Sequence, residues 1–447
     1  MTRTILRDGI VVFPDDIRNT DVLICEDKIE SVCHIADIPI DCNIIDCRGK
    51  YIFPGVIDPH THMGIPIKDR FSVDDFDTGT LSALQGGVTT IIDFSVLHSN
   101  ESLRRSIIRR KAQAAVSHID YSLHCNITRY SESILNEIPE LIESGIISFK
   151  VFTTYKESGM MLTTRQIENI AYVVANHGGI LMAHAEDDEE ISKATQLLTG
   201  KGLTEAKYHG ISRPVSAEVK AVRILGEISD KTGCRIYIVH RTSREGLEMA
   251  GKFSSLIVET CPQYLLLDDS VYEHDNGRMY VASPPLRSKD DLQAFWHGIT
   301  EGKIHTIGSD HCPFCQQDKL IGQPFQDILN GMGGVDTVFP VLAARFFQKK
   351  LNLNRLVQVS CEIPAKLFGL YPKKGALLPG SDADLIVVDP SKISLDWERS
   401  LVSITDWNAY SGYPAIFPEF VFTRGIMGVA KYRINRGTQG NFLPGEK

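Results

Sequence analysis

The sequence predicts an α/β protein: a (β/α)8 barrel of the TIM type, joined to a small β-sandwich domain formed from both chain ends. Two observations carry that expectation. From Tyr51 to about Tyr371, short apolar runs alternate with longer helix-patterned segments, and the alternation repeats eight times. Outside that stretch the pattern changes to short strands and tight turns, at Gly9–Phe13 and Asp21–Cys25 before it and at Ala383–Val388 and Phe420–Arg424 after it. The 447 residues accommodate one large unit, assigned to 54–374, and one smaller unit built from 1–53 plus 375–447.

Eight barrel strands are expected at Val56–His62, Thr89–Phe94, Tyr121–Ile127, Ile146–Phe152, Ile180–His184, Ile236–His240, Leu256–Thr260 and His305–Asp310. A helix-patterned segment follows each. One of them places Ile167, Ile170, Ala171 and Val174 on one face, with Thr163 and Gln166 spaced as a capping box ahead of them. A doubly wound sheet would accept the same alternation, but no Gly-x-Gly-x-x-Gly follows the first strand, so no dinucleotide site is signalled.

Composition narrows the classes of function. Apolar residues make up 43% and charged residues 23%, which allows a sizeable core without disulfide bonds. A formal charge of −9 disfavours nucleic acid and anionic membrane as partners, because no basic surplus is present to neutralise phosphates. No apolar run is long enough to span a bilayer, and the segment from Met1 to Pro14 lacks a signal-peptide core. Ten irregularly spaced cysteines do not form a disulfide framework, and a reducing cytoplasmic location is expected. Cys312-Pro313-Phe314-Cys315 has no second cysteine pair nearby and reads as a structural loop.

The chemistry concentrates at the expected C-terminal strand ends, where barrel enzymes carry their active sites. The first strand ends in Asp58-Pro59-His60-Thr61-His62. A side-chain period of two puts His60 and His62 on one side of an extended chain, where they can share an ion. Taken alone, the pair is equally readable as two hydrogen-bonded structural histidines. His184 and His240 each end an apolar strand, and Asp310 follows in Gly308-Ser309-Asp310-His311.

Lys150 stands in the otherwise apolar strand Ile146–Phe152, where a buried ammonium is costly. Reaction with carbon dioxide would convert its neutral amine to an anionic, bidentate carbamate able to bridge two cations. The alternative is a lysine that reaches solvent or pairs with a carboxylate. Six such groups suit two divalent ions, zinc best of all, holding a bridging water whose pKa falls from about 16 towards neutrality. Asp58 is placed to orient a histidine from behind, and Asp310 to bind metal and move a proton.

On these residues the chain resembles the cyclic amidohydrolases, in particular the dihydropyrimidinase/hydantoinase branch, along nearly its whole length. His60, His62, Lys150, His184, His240 and Asp310 fall in that family's metal-ligand motifs. Asp74-Asp75-Phe76-Asp77-Thr78-Gly79-Thr80, Ile91-Ile92-Asp93-Phe94 and Phe149-Lys150-Val151-Phe152-Thr153-Thr154-Tyr155-Lys156 resemble this branch in particular. The resemblance makes Tyr155 the donor to the oxyanion formed on the attacked carbonyl. It also makes Ser283 and Asn330 the holders of the ring's imide edge, largely through main-chain groups.

The implied reaction is metal-dependent opening of a dihydropyrimidine or 5-substituted hydantoin to an N-carbamoyl amino acid, by a homotetramer with Lys150 carboxylated. Allantoinase is the alternative enzyme. A dihydropyrimidinase-related scaffold protein without activity is the alternative from another class. Dihydroorotases typically have an arginine soon after the His-x-His, whereas here Met63-Gly64-Ile65-Pro66-Ile67 follows. With Phe152 and Tyr155, that segment is expected to form an apolar wall for the ring substituent. Three places depart from the branch: Asp187, Arg241 and Gly333-Gly334-Val335-Asp336.

Overall fold

The computed structural model describes residues 2–39, 41–322, 324–397 and 402–447. Its centre is an eight-stranded parallel sheet in sequential order: β1 (Val56–Thr61), β2 (Val88–Phe94), β3 (Asp120–Asn126), β4 (Ser148–Phe152), β5 (Ile180–His184), β6 (Ile236–Ile238), β7 (Leu256–Thr260) and β8 (Thr306–Ile307). A parallel bridge from Thr61 to His311, with His62 N–H donating to His311 C=O at 2.9 Å, joins the last strand region to the first and closes the ring. The expected strands are all present. β6 and β8 end earlier than expected, at Ile238 and Ile307, and the chain then turns through left-handed backbone at His240 (φ 41°) and Asp310 (φ 51°).

Period-two alternation sorts each strand into an outer apolar face and an inner lining. In β4, Phe149 and Val151 pack outward with the helices, while Ser148 and Lys150 turn inward. In β5, Leu181 and Ala183 face the helices, while Ile180 and Met182 join Ile57, Ile92, Phe94, Tyr237 and Ile257 in a core inside the barrel. Phe368, Leu370 and Leu443 from the C-terminal part of the chain complete that inner core. The barrel is therefore plugged below the site rather than open. The helix after β4 runs Thr164–Asn176 and starts at the expected capping box, with Thr163 accepting from Gln166 N–H and Gln166 accepting from Thr163 N–H.

Both chain ends meet in a sheet-rich domain. Its strands form one nine-stranded sheet, in which Tyr51–Pro54 pairs antiparallel with Leu385–Val388 and so splices the two ends together. Arg3–Val12 lies beside Ile17–Cys25 and pairs along its length first with Cys42–Asp46 and then with Tyr51–Pro54. The sheet buries its own apolar cluster, including Leu6, Val22, Ile52, Leu385 and Phe422.

Where the domain meets the barrel, Lys374 is 1% exposed, with its ammonium 2.6 Å from Asp120, 2.9 Å from Asp382 and 2.6 Å from Asp384. Asp120 begins β3, so this ion cluster ties the sheet to the barrel floor. The last residues then return across that floor, with Tyr121 N–H donating to Asn441 C=O and Leu443 N–H to Tyr121 C=O. Among the described residues, no helix is long and apolar enough to cross a membrane.

Candidate active site

At the C-terminal end of the strands, His60, His62 and Asp310 bring one ligand atom each within 4.8 Å of one another. Asp310 Oδ1 lies 3.2 Å from His60 Nε2 and 3.1 Å from His62 Nε2. Lys150, 3% exposed, reaches in from β4 and sets its Nζ 3.2 Å from the same His60 nitrogen. The His240 ring stacks on His60 at 5.4 Å between centroids, and His184 meets His240 edge-on at 4.7 Å. The six residues named from the sequence thus lie at the same end of the barrel, His60, His62 and Asp310 in one group with Lys150 against His60, and His240 and His184 following in ring contact. Gly308 allows the close approach, because a Cβ there would lie 2.8 Å from His60 Cβ and 3.0 Å from Glu259 Oε2.

The electrostatics suit cation binding. Burial pushes His184 down to about 4, and holds His60 and His240 well below the usual imidazole range. These rings are neutral near pH 7, the form that offers a lone pair to metal. Burial also brings Lys150 down to about 8. Burial alone would raise Asp310, yet the neighbouring His60, His62 and Lys150 bring it down to about 2. Buried His62 Nδ1 and His240 Nδ1 have no hydrogen-bond partner among the described residues, an arrangement that costs free energy unless another group engages them. Neutral imidazoles at His60, His184 and His240 beside a carboxylate, with polar atoms to spare, fit divalent metal.

The support behind this ring was only partly visible in the sequence. His60 Nδ1 lies 2.7 Å from Glu259 Oε1, which also accepts from His240 N–H at 2.8 Å, while Glu259 Oε2 accepts from Tyr237 Oη at 2.7 Å. Glu259 therefore orients the imidazole, the role expected of Asp58. Asp58 instead accepts from the main-chain N–H groups of His60 (3.1 Å) and Ser309 (3.0 Å), holding the turn rather than the ring. Standing two residues before His60, Asp58 closes a local turn onto the His60 main chain instead of reaching its ring. The available signal for Glu259 was an acidic residue on the inward period of an apolar strand.

His184 Nε2 is 2.6 Å from Glu186 Oε2, and Arg213 holds Glu186 with bonds of 3.0 and 2.6 Å to its two oxygens.

Tyr155 packs against His184 at 4.9 Å between ring centroids and lies under Arg213, 5.4 Å from its guanidinium carbon. Burial pushes its phenol up to about 12, opposed by the Arg213 charge and the Ser283 hydroxyl, so it keeps its proton. Ser283 Oγ donates to Asn330 Oδ1 at 3.0 Å, which brings the three expected substrate residues together. Tyr155 (φ 67°), His240 and Asp310 all hold left-handed backbone, a strain of about 1–3 kcal/mol each that gathers at functional sites.

The expected apolar wall is corrected in part. Phe152 stands 6.1 Å from the Tyr155 ring, but Met63 is fully buried beside Gly79 under the helix Phe76–Gln85. Ile65 packs with Cys312, Phe314 and Leu329. The three departures from the branch pattern have structural explanations. Asp187 caps the helix Asp188–Gly200, and Arg241 donates to Ala185 C=O at 2.8 Å. Gly334 and Val335 donate their N–H groups to His311 Nδ1 at 3.1 and 3.2 Å.

Comparison with known proteins places this geometry. The amidohydrolase family model matches residues 51–417. A D-hydantoinase of Streptomyces coelicolor is 33% identical over 436 residues, spanning 92% of this chain and 91% of that protein. A D-phenylhydantoinase of Escherichia coli is 34% identical over 421 residues with the same coverage. The crystal structure of a dihydropyrimidinase from Brevibacillus agri superposes with a TM-score of 0.95 at 30% identity, covering 100% of both chains. The chain belongs to the metal-dependent amidohydrolase family, among its cyclic amidohydrolases.

Proposed function

We propose that this enzyme opens a cyclic imide ring, a dihydropyrimidine or a 5-substituted hydantoin, to the corresponding N-carbamoyl amino acid. The observation that carries the reading lies in two loops at the barrel mouth. Among the described residues, neither the N–H nor the C=O of Ser283 or of Asn330 is engaged in a hydrogen bond, although both residues are half-buried. A cyclic imide presents an acceptor, a donor and an acceptor in a row, which two such loops can match. Phe152 and Tyr155 supply apolar surface for a ring substituent, in keeping with a relative named for phenylhydantoin.

His60, His62, His184, His240, Asp310 and Lys150 are the residues that would hold two divalent ions, and zinc suits this nitrogen and carboxylate set. When bound, the ions supply an activated water and Lewis-acid polarisation of the attacked carbonyl. Lys150 joins them as a carbamate: its neutral amine adds carbon dioxide, forming an N–C bond and releasing a proton. Burial among apolar neighbours favours the neutral amine that this addition requires. Asp310 accepts a proton from the attacking water and delivers it to the ring nitrogen as the C–N bond breaks. The protonated Tyr155 phenol donates to the oxyanion. Ser283 and Asn330 hold the ring in register.

Ten unpaired cysteines support a cytoplasmic setting, and the family resemblance supports a homotetramer. Asp187 caps the helix Asp188–Gly200, a role that Asp and Asn fill equally well, so this departure leaves the ring-opening reading in place. The test is ring opening by zinc- and bicarbonate-supplemented protein on dihydrouracil, hydantoin, phenylhydantoin, allantoin and dihydroorotate. Turnover of the first three is expected. Activity on allantoin alone would transfer the chain to the alternative enzyme, and a two-metal protein opening none of them would overturn the substrate class.

A further inference from the structure

Lys319 is a fully buried lysine outside the metal cluster, at the end of the short helix Gln316–Lys319. Its Nζ donates to three main-chain carbonyls, Val281 and Leu329 at 2.8 Å and Gly331 at 2.9 Å. An ammonium has three donors and no acceptor, so three carbonyls satisfy it fully and oppose the burial that pushes this lysine down to about 7. These carbonyls belong to both loops of the proposed imide site: Val281 lies two residues before Ser283, and Leu329 and Gly331 flank Asn330.

Neighbouring groups are fastened in the same manner. His209 Nε2 is 2.8 Å from Ala282 C=O, and Tyr264 Oη donates to Pro284 C=O at 2.8 Å. Gly331 N–H donates to Val281 C=O, linking the two loops directly. The carbonyls on either side of Ser283 and of Asn330 are thus occupied, and those of Ser283 and Asn330 are left for a ligand. The pattern has a second consequence. Leu329 C=O shares its peptide unit with Asn330 N–H, so the ammonium on that carbonyl polarises the unit and strengthens the free N–H as a donor.

We propose that Lys319 is a positioning residue for ring binding: without touching substrate, it holds the Val281–Ser283 and Leu329–Gly331 main chains together as one pre-formed imide-recognition edge. This rests on the cyclic-imide reading given above. Arg278 secures Lys319 in turn, donating to Lys319 C=O and to Gly322 C=O at 2.7 Å each.

The experiment compares wild type, Lys319→Met and Lys319→Gln as zinc-loaded full-length enzymes, measuring KM and kcat on dihydrouracil and hydantoin together with zinc per chain. Lys319→Met removes every donor at similar length, and KM is expected to rise at least tenfold, with the larger share of the lost kcat/KM in KM and zinc content unchanged. Lys319→Gln retains two donors and should recover part of the loss. A merely structural lysine would lower thermal stability and leave KM where it was, and an unchanged KM in both variants overturns the proposal. If neither variant folds, Arg278→Met removes the bonds that hold Lys319 C=O and Gly322 C=O and so loosens Lys319 itself. It should raise KM about threefold, and an unchanged KM there likewise overturns the proposal. Wild type inactive on every cyclic imide would refute the substrate reading as well, whereas active wild type with unaltered variants refutes Lys319 alone.

Discussion

Replacing Glu259 by glutamine removes a carboxyl group, which burial pushes up to about 8 and which a bound cation would favour as the carboxylate, and almost no volume from behind the candidate metal site. In the structure Glu259 is fully buried, with one oxygen 2.7 Å from His60 Nδ1 and 2.8 Å from His240 N–H, and the other accepting from Tyr237. A glutamine can keep its carbonyl towards the two histidines and turn its NH2 to the Tyr237 oxygen, which is able to accept. The shape survives, and the charge assistance to His60 is lost. A hydrogen bond to a charged group contributes about 1.5–3 kcal/mol against about 0.5–1.5 for a neutral one. The midpoints differ by about 1.3 kcal/mol, close to a tenfold weaker zinc affinity.

Glu259→Ala also strands the His60 and His240 donors, so about a hundredfold is expected, the upper end for partners of metal-binding histidines. Equilibrium dialysis against graded chelator, with zinc counted per chain, measures both. Affinities within twofold of wild type for both variants would refute the claim that Glu259 supports the site.

Lys150→Ala should leave fewer than two ions per chain by elemental analysis and lower kcat at least a thousandfold, and two ions with full rate would end the carbamate model. Tyr155→Phe should keep both ions and lower kcat about a hundredfold, the usual loss on removing one oxyanion donor, and an unchanged kcat would reassign that role. Glu218 is buried against Arg241 and Arg287, 3.5 and 3.4 Å away, and accepts from Thr242 Oγ1 at 2.7 Å. Burial would raise its pKa, but the two guanidinium groups hold it below the usual carboxylate range. Its stabilisation is therefore present above the unfolded pKa of about 4.3 and is lost as pH falls through the lower folded value. Glu218→Gln should cost about 3 kcal/mol at pH 7 by urea unfolding, with the gap to wild type narrowing below pH 4, and a gap independent of pH would contradict this.

Strand positions, their inward and outward faces and the helix cap at Thr163 were legible from the sequence because each rests on spacing between near neighbours along the chain. His60 and His62 share a side through the two-residue period of a strand, and Lys150 faces the axis because Phe149 and Val151 face the helices. The same local rule marked His184, His240 and Asp310 as strand-end residues. It could not say that β6 and β8 stop short, nor that the chain turns through left-handed backbone at His240 and Asp310, which is imposed by what surrounds them.

The supporting groups were decided by tertiary structure alone. Glu259 meets His60 across 199 residues of sequence, and Lys319 meets Val281 across 38. Nothing in a run such as Gln316-Gln317-Asp318-Lys319 distinguishes a surface lysine from a buried one. Likewise, a sequence shows that both chain ends are strand-rich, but not that Tyr51–Pro54 and Leu385–Val388 pair to make one nine-stranded sheet. Periodicity is a property of the local backbone, whereas a buried charge finds its partners only where closure of the barrel excludes water and brings distant segments within hydrogen-bond reach.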